Sequence, residues 1–168
     1  MSTFIALDFE TANRSRTSAC SIGLIRVEDR CIVQQEHFLI QPPEPDFEFT
    51  YIHGICWEDV AHAPTFDAVW PHIATLIDGV DFIAAHNASF DKGVLYACCD
   101  RHNIPRPPHP FICTVQLARK TWKLHPTKLP NVCQFLGVEL NHHDALSDAH
   151  ACAQIVIAAA QSSPNPVR

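Results

Sequence analysis

The stretch "ALDFETA", residues 6–12, places two acidic side chains in a segment that is otherwise typical of a buried apolar strand. Because side chains alternate along a strand, Asp8 and Glu10 point to the same face, with Cα atoms about 7 Å apart. Two ionised carboxylates at that spacing repel each other, and burying either one without a partner costs several kcal/mol. A cation between them explains the pair, and carboxylates without a neighbouring cysteine favour Mg²⁺ or Mn²⁺ over zinc.

Around this strand the sequence predicts a single α/β domain with a mixed five-stranded sheet flanked by helices. Three β-runs open the chain, and strands then alternate with helices, which is the pattern of this fold class. The predicted strands cover residues 3–9, 18–27, 31–40, 81–87 and 111–113. The predicted helices cover residues 65–79, 89–103, 114–122, 128–136 and 144–161.

The remaining segments have their own predictions. The Pro-rich residues 41–55 predict an ordered loop without a helix or strand. In the helix over residues 89–103, spacing predicts that Phe90, Val94, Leu95 and Cys98 face inward. The domain is predicted to occupy residues 1–161, and "SSPNPVR", residues 162–168, is predicted to be a disordered tail.

Composition limits the partners that the chain can bind. A formal net charge of −6 argues against a broad nucleic-acid surface, since phosphate binding depends on basic charge. Eight scattered cysteines without a CxxC motif predict reduced thiols in a cytoplasmic protein, and no apolar run approaches the roughly 20 residues of a membrane span. A phosphate-bearing partner would therefore be held through metal or by local basic residues: Arg14, Arg16, Arg119, Lys120, Lys123 and Lys128.

Two further acids lie at the ends of predicted elements. Asp91 closes "AHNASFD", where a strand gives way to a helix, and Asp148 lies in "HHDALSDAHA", in the first turn of the last helix. Either acid alone is explained by the favourable charge at a helix N-terminus. Four acids in three separate contexts of this kind instead favour one shared site.

The motifs "DFET" (8–11), "HNASFD" (86–91) and "HDALSD" (143–148) occur in the order of the three exonuclease motifs. The chain resembles the DEDDh 3′–5′ exonucleases, the group that includes the epsilon subunit of bacterial DNA polymerase III and exonuclease X. The resemblance covers residues 3 to about 160 and implies a ribonuclease-H-like fold. It also implies four metal-binding acids and one histidine: Asp8, Glu10, Asp91, Asp148 and His143.

The resemblance further implies two ions of Mg²⁺ or Mn²⁺, about 3.5–4 Å apart, that clamp the attacking and leaving oxygens of a phosphoryl displacement. His143 would act as the neutral general base, because a helix N-terminus disfavours its charged form. Without the motif, His143 would be interpreted as a surface histidine. Asp144 is predicted to be a helix N-cap, and His142 is left unassigned.

A pocket for the terminal nucleotide is also implied by the resemblance. The residues predicted to meet the 3′ end, together with His143, are Phe9, Thr11, Ala12, His53, Asn87 and Phe90. Two of them have alternative interpretations. His53 could instead stabilise its loop by a hydrogen bond, and Phe90 could simply pack in the core.

The predicted function is metal-dependent 3′–5′ hydrolysis of single-stranded DNA, with release of nucleoside 5′-monophosphates, in repair, trimming or proofreading. A polymerase or a repair complex is a further partner that the resemblance suggests. An exoribonuclease with the same motifs is an alternative, because contacts to the ribose 2′-hydroxyl depend on loop geometry. An inactive module that binds nucleic-acid ends or a polymerase is another. A His-Asp phosphohydrolase is disfavoured, since those enzymes are essentially all-helical.

Overall fold

The structure is a computed structural model that describes residues 2–162. Its strands are β1 (Thr3–Thr11), β2 (Ala19–Glu28), β3 (Cys31–Leu39), β4 (Phe82–Ala85) and β5 (Phe111–Cys113). Its helices are α1 (Thr50–His53), α2 (Trp57–Val60), α3 (Phe66–Ile77), α4 (Ala88–Arg101), α5 (Thr114–Trp122), α6 (Leu129–Leu136) and α7 (Ala145–Ser162). The predicted α/β class and the five predicted strands are confirmed.

The strands form one mixed sheet with the order β3-β2-β1-β4-β5. The meander β1-β2-β3 is antiparallel, whereas β4 and β5 join the other side of β1 in parallel. The strand that carries "ALDFETA" is therefore the centre of the sheet, covered on both faces. Because β1 and β4 run in the same direction, their carboxyl ends meet at one edge of the sheet.

The alternation of side chains along β1 divides the core into two layers. Ile5 and Leu7 belong to the layer beneath α3 and α4, and Phe4 and Ala6 belong to the layer beneath α7. Asp8 and Glu10 continue the second row, so both carboxylates face α7, on the same side as predicted. A third cluster joins α5, α6 and α7 at one end of the sheet.

The start of α7 lies unusually close to the sheet, and Gly23 in β2 makes this approach possible. Gly23 is the register partner of Asp8 in β1. A Cβ atom at Gly23 would lie 2.2 Å from the carbonyl oxygen of Ala145. Only a residue without a side chain allows this approach, which brings the first turn of α7 directly over the acids of β1.

Three sequence predictions are corrected by the structure. The segment 41–55, predicted as a loop, contains α1, and α2 follows it closely; four-residue helices are too short to show a periodic pattern. Phe90 is 39% exposed and does not face inward, although Val94, Leu95 and Cys98 are buried as predicted. Ser162 belongs to α7 instead of the predicted tail, whose other residues lie outside those described.

Among residues 2–162, no helix combines the length and apolar character needed to cross a membrane.

Candidate active site

Three elements bring the four predicted acids together. Asp8 and Glu10 come from β1, whereas Asp91 and Asp148 lie in the first turns of α4 and α7. Carboxylate oxygens of Asp8, Glu10 and Asp148 all lie within 4.8 Å of one another. Asp91 is 1% exposed, and its Oδ1 accepts a hydrogen bond of 2.9 Å from the Phe9 N–H. That bond ties α4 to the central strand between the two acids of β1.

Burial and mutual repulsion dominate the electrostatics of these acids. Burial, followed by the charges of Asp148 and Asp91, raises the pKa of Glu10 to about 8. The pKa of Asp8 is raised well above its usual value, first by burial and then by Asp91, Asp148 and Glu10. The pKa values of Asp91 and Asp148 are also raised, mainly by burial. The protein has brought together carboxyl groups whose ionised forms the fold itself does not neutralise, so their protonated forms are favoured in the absence of a cation.

These residues fit a divalent cation. Within the described part of the chain, Oδ2 of Asp8 is a buried oxygen that has no hydrogen-bond partner. A buried acceptor of this kind costs free energy unless something satisfies it. The neighbouring donor atoms are carboxylate oxygens, which are the ligands that hard divalent ions prefer. Asp8, Glu10 and Asp148 could share one such ion, and its charge would lower the raised pKa values.

Two histidines stand beside the acids, on the turn before α7. His143 has φ of 68°, and its ring stacks on that of His142 with centroids 3.8 Å apart. Asp148 Oδ2 accepts hydrogen bonds from the His143 N–H at 3.2 Å and from His142 Nδ1 at 3.0 Å. Burial, then the nearby His142 and His53, lower the pKa of His143. A neutral His143 imidazole is therefore favoured at pH 7.

The predicted N-cap at the start of α7 is confirmed by its hydrogen bond. Asp144 Oδ1 accepts from the Ser147 N–H at 2.9 Å, which satisfies one of the free N–H groups of the first turn. The cap fixes the first turn of α7, and with it the place of Asp148.

The acids and histidines line a cleft of about 310 Å³. Of the residues predicted for the site, the cleft wall contains Asp8, Phe9, Glu10, Phe90, His143 and Asp148. Asp91 lies beneath the wall. Four residues outside the predicted site also line the cleft: His86, Lys128, Leu129 and His142. His86 belongs to the motif "HNASFD", which was a usable signal, whereas no motif marks Lys128 or Leu129.

The other predicted substrate residues lie outside this wall. His53 Nε2 donates to the Thr11 carbonyl at 2.9 Å, and its Nδ1 accepts from the Ile55 N–H at 3.0 Å, so His53 does stabilise its loop. The Ala12 N–H donates to the Ser18 carbonyl. Contacts of Thr11, Ala12 and His53 with a 3′ end stay predictions, as does that of Asn87, which lines a neighbouring pocket.

His86 links the cleft to the segment between α5 and α6. Its Nε2 donates to the Thr127 carbonyl at 2.9 Å, and its Nδ1 accepts from Thr114 Oγ1 at 2.8 Å. Burial lowers the pKa of His86 to about 4. The ring is therefore neutral, with both nitrogens occupied, and it holds Thr127 and the adjacent Lys128 beside the acids.

The fold and the site together define a class: a nuclease that carries an acidic cluster, of a kind that fits a divalent cation, on a ribonuclease-H-like sheet. Comparison with known proteins gives the family. The model of the family described as Exonuclease matches residues 5–156, and the chain belongs to this family. The chain is of the DEDDh type, whose members in general depend on divalent metal ions.

Individual relatives agree with this assignment. Exodeoxyribonuclease 10 of Escherichia coli K12 is 34% identical over 145 residues, which cover 81% of this chain and 59% of that protein. DNA polymerase III PolC-type of Thermotoga petrophila is 31% identical over 159 residues, which cover 92% of this chain and 12% of that protein. The chain thus spans less than two thirds of the length of these relatives.

Solved structures show the same fold. Exonuclease X in complex with 5′ overhanging duplex DNA superposes with a TM-score of 0.78 at 28% identity, covering 95% of this chain and 92% of that one. The nuclease domain of 3′hExo bound to rAMP superposes with a TM-score of 0.82, covering 96% and 93%. At 17% identity the second likeness shows the fold alone.

Proposed function

We propose that this chain is a metal-dependent 3′–5′ exonuclease that trims single-stranded DNA and releases nucleoside 5′-monophosphates. The observation that carries the proposal is the convergence of four carboxylates from β1, α4 and α7 beside a histidine whose pKa is lowered. Such a cluster is costly to the fold, since its charges repel one another. A functional role of the cluster explains why the protein retains side chains that lower its stability.

Asp8, Glu10, Asp91 and Asp148 are the residues that would hold the metal. We infer two ions of Mg²⁺ or Mn²⁺, because two divalent charges balance four carboxylates. When bound, such ions supply Lewis acidity at the phosphoryl group and lower the pKa of coordinated water.

His143 is assigned as the general base. It lines the cleft with the acids, and its imidazole is neutral near pH 7, so it can accept a proton from water that attacks phosphorus. The hydrogen bond from its backbone N–H to Asp148 holds the backbone of the turn that carries the ring. The stacked His142 restricts the ring further.

Phe90 is proposed to hold the terminal base, and Phe9, whose side chain is 3% exposed and packs in the core, borders the cleft beside it. Phe90 projects into the cleft from the first turn of α4, where its exposed face can stack on a base. Stacking is available to every base, because each has a π-face, so this interaction tolerates different sequences. An exonuclease that removes successive nucleotides needs this tolerance.

DNA is preferred over RNA as the substrate in this proposal. The support is the relative named exodeoxyribonuclease 10 and the superposed exonuclease X, whose structure contains DNA. The PolC-type relative suggests a polymerase as a further partner.

All eight cysteines are free, in keeping with the predicted cytoplasmic location.

The test is digestion of matched 5′-labelled single-stranded DNA and RNA with Mg²⁺ or Mn²⁺, with a chelator as control. We expect a ladder that shortens from the 3′ end, faster for DNA than for RNA, and abolished by the chelator. Chromatography of the products should give nucleoside 5′-monophosphates. No cleavage of either strand, or cleavage that survives chelation, would overturn the proposal.

A further inference from the structure

His142 and His143 form, with Asp148, a second group of possible metal ligands at the edge of the cleft. One ring nitrogen of each histidine and one carboxylate oxygen of Asp148 all lie within 4.8 Å of one another. The group of Asp8, Glu10 and Asp148, by contrast, offers only carboxylates. Imidazole suits zinc and similar transition metals, whereas carboxylates suit Mg²⁺ and Mn²⁺. The two groups should therefore select different metal ions.

The backbone of the turn before α7 brings the two imidazoles together. His143 adopts φ of 68°, in the left-handed region that few residues other than glycine enter. Its ring lies on that of His142, with an angle of 24° between the ring planes. Both histidines are exposed, whereas Asp148 is buried beneath them. An ion from solvent can thus reach two imidazoles and a carboxylate that the fold already holds side by side.

The dimensions of this group fit a zinc ion. Zinc binds imidazole nitrogens and carboxylate oxygens at about 2.0–2.2 Å, so the ligand atoms of a tetrahedral ion lie about 3.4 Å apart. His142 Nδ1 and Asp148 Oδ2 are already 3.0 Å apart, and rotation of the exposed His143 ring can bring its nitrogen to the same spacing. His142 Nδ1 binds metal in the tautomer that carries its proton on Nε2. Two histidines and one carboxylate are an established zinc donor set, in which water takes the fourth position.

We propose that His142, His143 and Asp148 form a zinc site, and that zinc bound there inhibits hydrolysis. A neutral imidazole has one nitrogen with a free lone pair, and a general base needs that lone pair to accept a proton. Zinc on His143 occupies it. The inhibition rests on the proposed function, in which His143 is the base, whereas zinc binding does not. Mg²⁺ does not substitute for zinc at this site, because a hard cation prefers oxygen ligands.

Isothermal titration calorimetry with Zn²⁺ and the chelator-treated protein tests the site. In His142→Asn, the tightest Zn²⁺ binding step should weaken at least about 100-fold, since loss of a direct ligand should exceed the roughly 10–100-fold cost of losing an outer partner. The Asn amide can still donate a hydrogen bond to Asp148, so the variant removes the zinc ligand and not the hydrogen-bond donor.

His150→Ala is the matched control for this titration. His150 lies on α7 only two residues after Asp148, and side chains two residues apart on a helix do not face each other. Zn²⁺ affinity in His150→Ala should stay within about twofold of the wild-type value, as expected of a substitution outside the site. An equal loss of affinity in His142→Asn and His150→Ala would contradict the zinc site.

Asp8→Asn separates the zinc site from the carboxylate group of the cleft. Asp8 belongs to that group and is not a ligand of the zinc site. The tightest Zn²⁺ binding step should therefore change by less than about tenfold in Asp8→Asn, because only a neighbouring charge is altered. If Asp8→Asn loses Zn²⁺ binding and His142→Asn retains it, zinc uses the cleft carboxylates and the proposal is wrong.

Inhibition is measured by digestion of single-stranded DNA at saturating Mg²⁺ with increasing Zn²⁺, each rate being divided by the same variant's rate without Zn²⁺. The half-inhibitory Zn²⁺ concentration should be at least about tenfold higher in His142→Asn than in the wild type, and within about twofold of it in His150→Ala. A wild type that Zn²⁺ does not inhibit, or equal concentrations in the wild type and His142→Asn, would overturn the inhibition. A wild type that hydrolyses no DNA with Mg²⁺ would overturn the exonuclease and the inhibition, while the calorimetric titration would still decide the zinc site.

Discussion

At the scale of single residues, Asp8 is the acid with the least support from the protein around it. Its Oδ2 is buried without a hydrogen-bond partner among the described residues, and burial together with the charges of four other carboxylates raises its pKa. Asp8→Asn keeps the shape of the side chain and removes the charge.

We expect Asp8→Asn to lower kcat at least about a thousandfold, since losing a ligand should exceed the roughly 10–100-fold cost of losing an outer partner. The melting temperature of the metal-free protein should stay equal or rise, because repulsion is relieved. Turnover near the wild-type rate would contradict the assignment of Asp8, and a sharply lower melting temperature would point to a structural role.

The adjacent His142 and His143 provide a matched pair for testing the general base. His143→Ala should lower kcat by about 10²–10⁴-fold, the usual contribution of general acid–base catalysis, and change KM much less. His142→Ala removes an equivalent ring from the same turn and should lower kcat by about tenfold or less, because His142 acts through Asp148. Equal losses of kcat in the two variants would contradict the assignment of His143, and not His142, as the general base.

At the scale of elements, Gly23 determines how closely α7 approaches the sheet. Gly23→Ala would place a Cβ atom 2.2 Å from the Ala145 carbonyl, and backbone atoms on both sides leave it little room. We expect a loss of about 1–3 kcal/mol in the free energy of unfolding, as for other overpacked sites. Activity should fall as well, because the first turn of α7 carries Asp148.

The control for this prediction is Gly137→Ala, at the end of α6, where a Cβ atom meets nothing within 4 Å. With φ of +69°, this position should lose stability through backbone strain, about 1–2 kcal/mol, while kcat is retained. Denaturant unfolding and steady-state kinetics measure the two effects separately. Full activity in Gly23→Ala would contradict the role assigned to the close approach.

The long elements could be predicted from the sequence because their patterns are local. The apolar runs predict all five strands within a few residues, and the predicted helix over residues 114–122 is observed as α5, Thr114–Trp122. The prediction fails where local pattern carries no information. The helices α1 and α2 span less than two turns, and the exposure of Phe90 depends on the cleft beside it, which the sequence does not display.

The residues of the candidate site could likewise be predicted from the sequence only where a local motif marks them. The four acids and His143 lie in short motifs, and the structure brings them together beside β1. The place of His86 and Lys128 in the cleft depends on Thr114 and Thr127, which lie 28 and 41 residues from His86. Pairing of this kind is a product of tertiary packing, so periodicity and motif spacing do not predict it.

At the scale of the whole molecule, the acid cluster should make stability depend on pH and metal together. Folding raises the pKa of Glu10 from its usual 4.5 to about 8. Between these values the folded state binds more protons than the unfolded state, so the unfolding free energy of the metal-free protein falls as pH rises. A divalent ion that binds only the folded state opposes this loss.

We therefore expect the melting temperature of the chelated protein to fall from pH 6 to pH 8, and to fall less in Glu10→Gln. The increase in melting temperature with saturating Mg²⁺ should be larger at pH 8 than at pH 6. Differential scanning fluorimetry with and without chelator measures both quantities. An identical pH dependence in the wild type and Glu10→Gln would contradict the assigned pKa shift.

The central claim is that the four clustered carboxylates bind divalent metal, and a titration with Mn²⁺ tests it most directly. Electron paramagnetic resonance counts the free Mn²⁺ at each addition, in the wild type and in Asp8→Asn. The account predicts saturable binding that approaches two ions per wild-type chain and is strongly weakened in Asp8→Asn. Binding that is absent from the wild type, or equal in the two proteins, would contradict it.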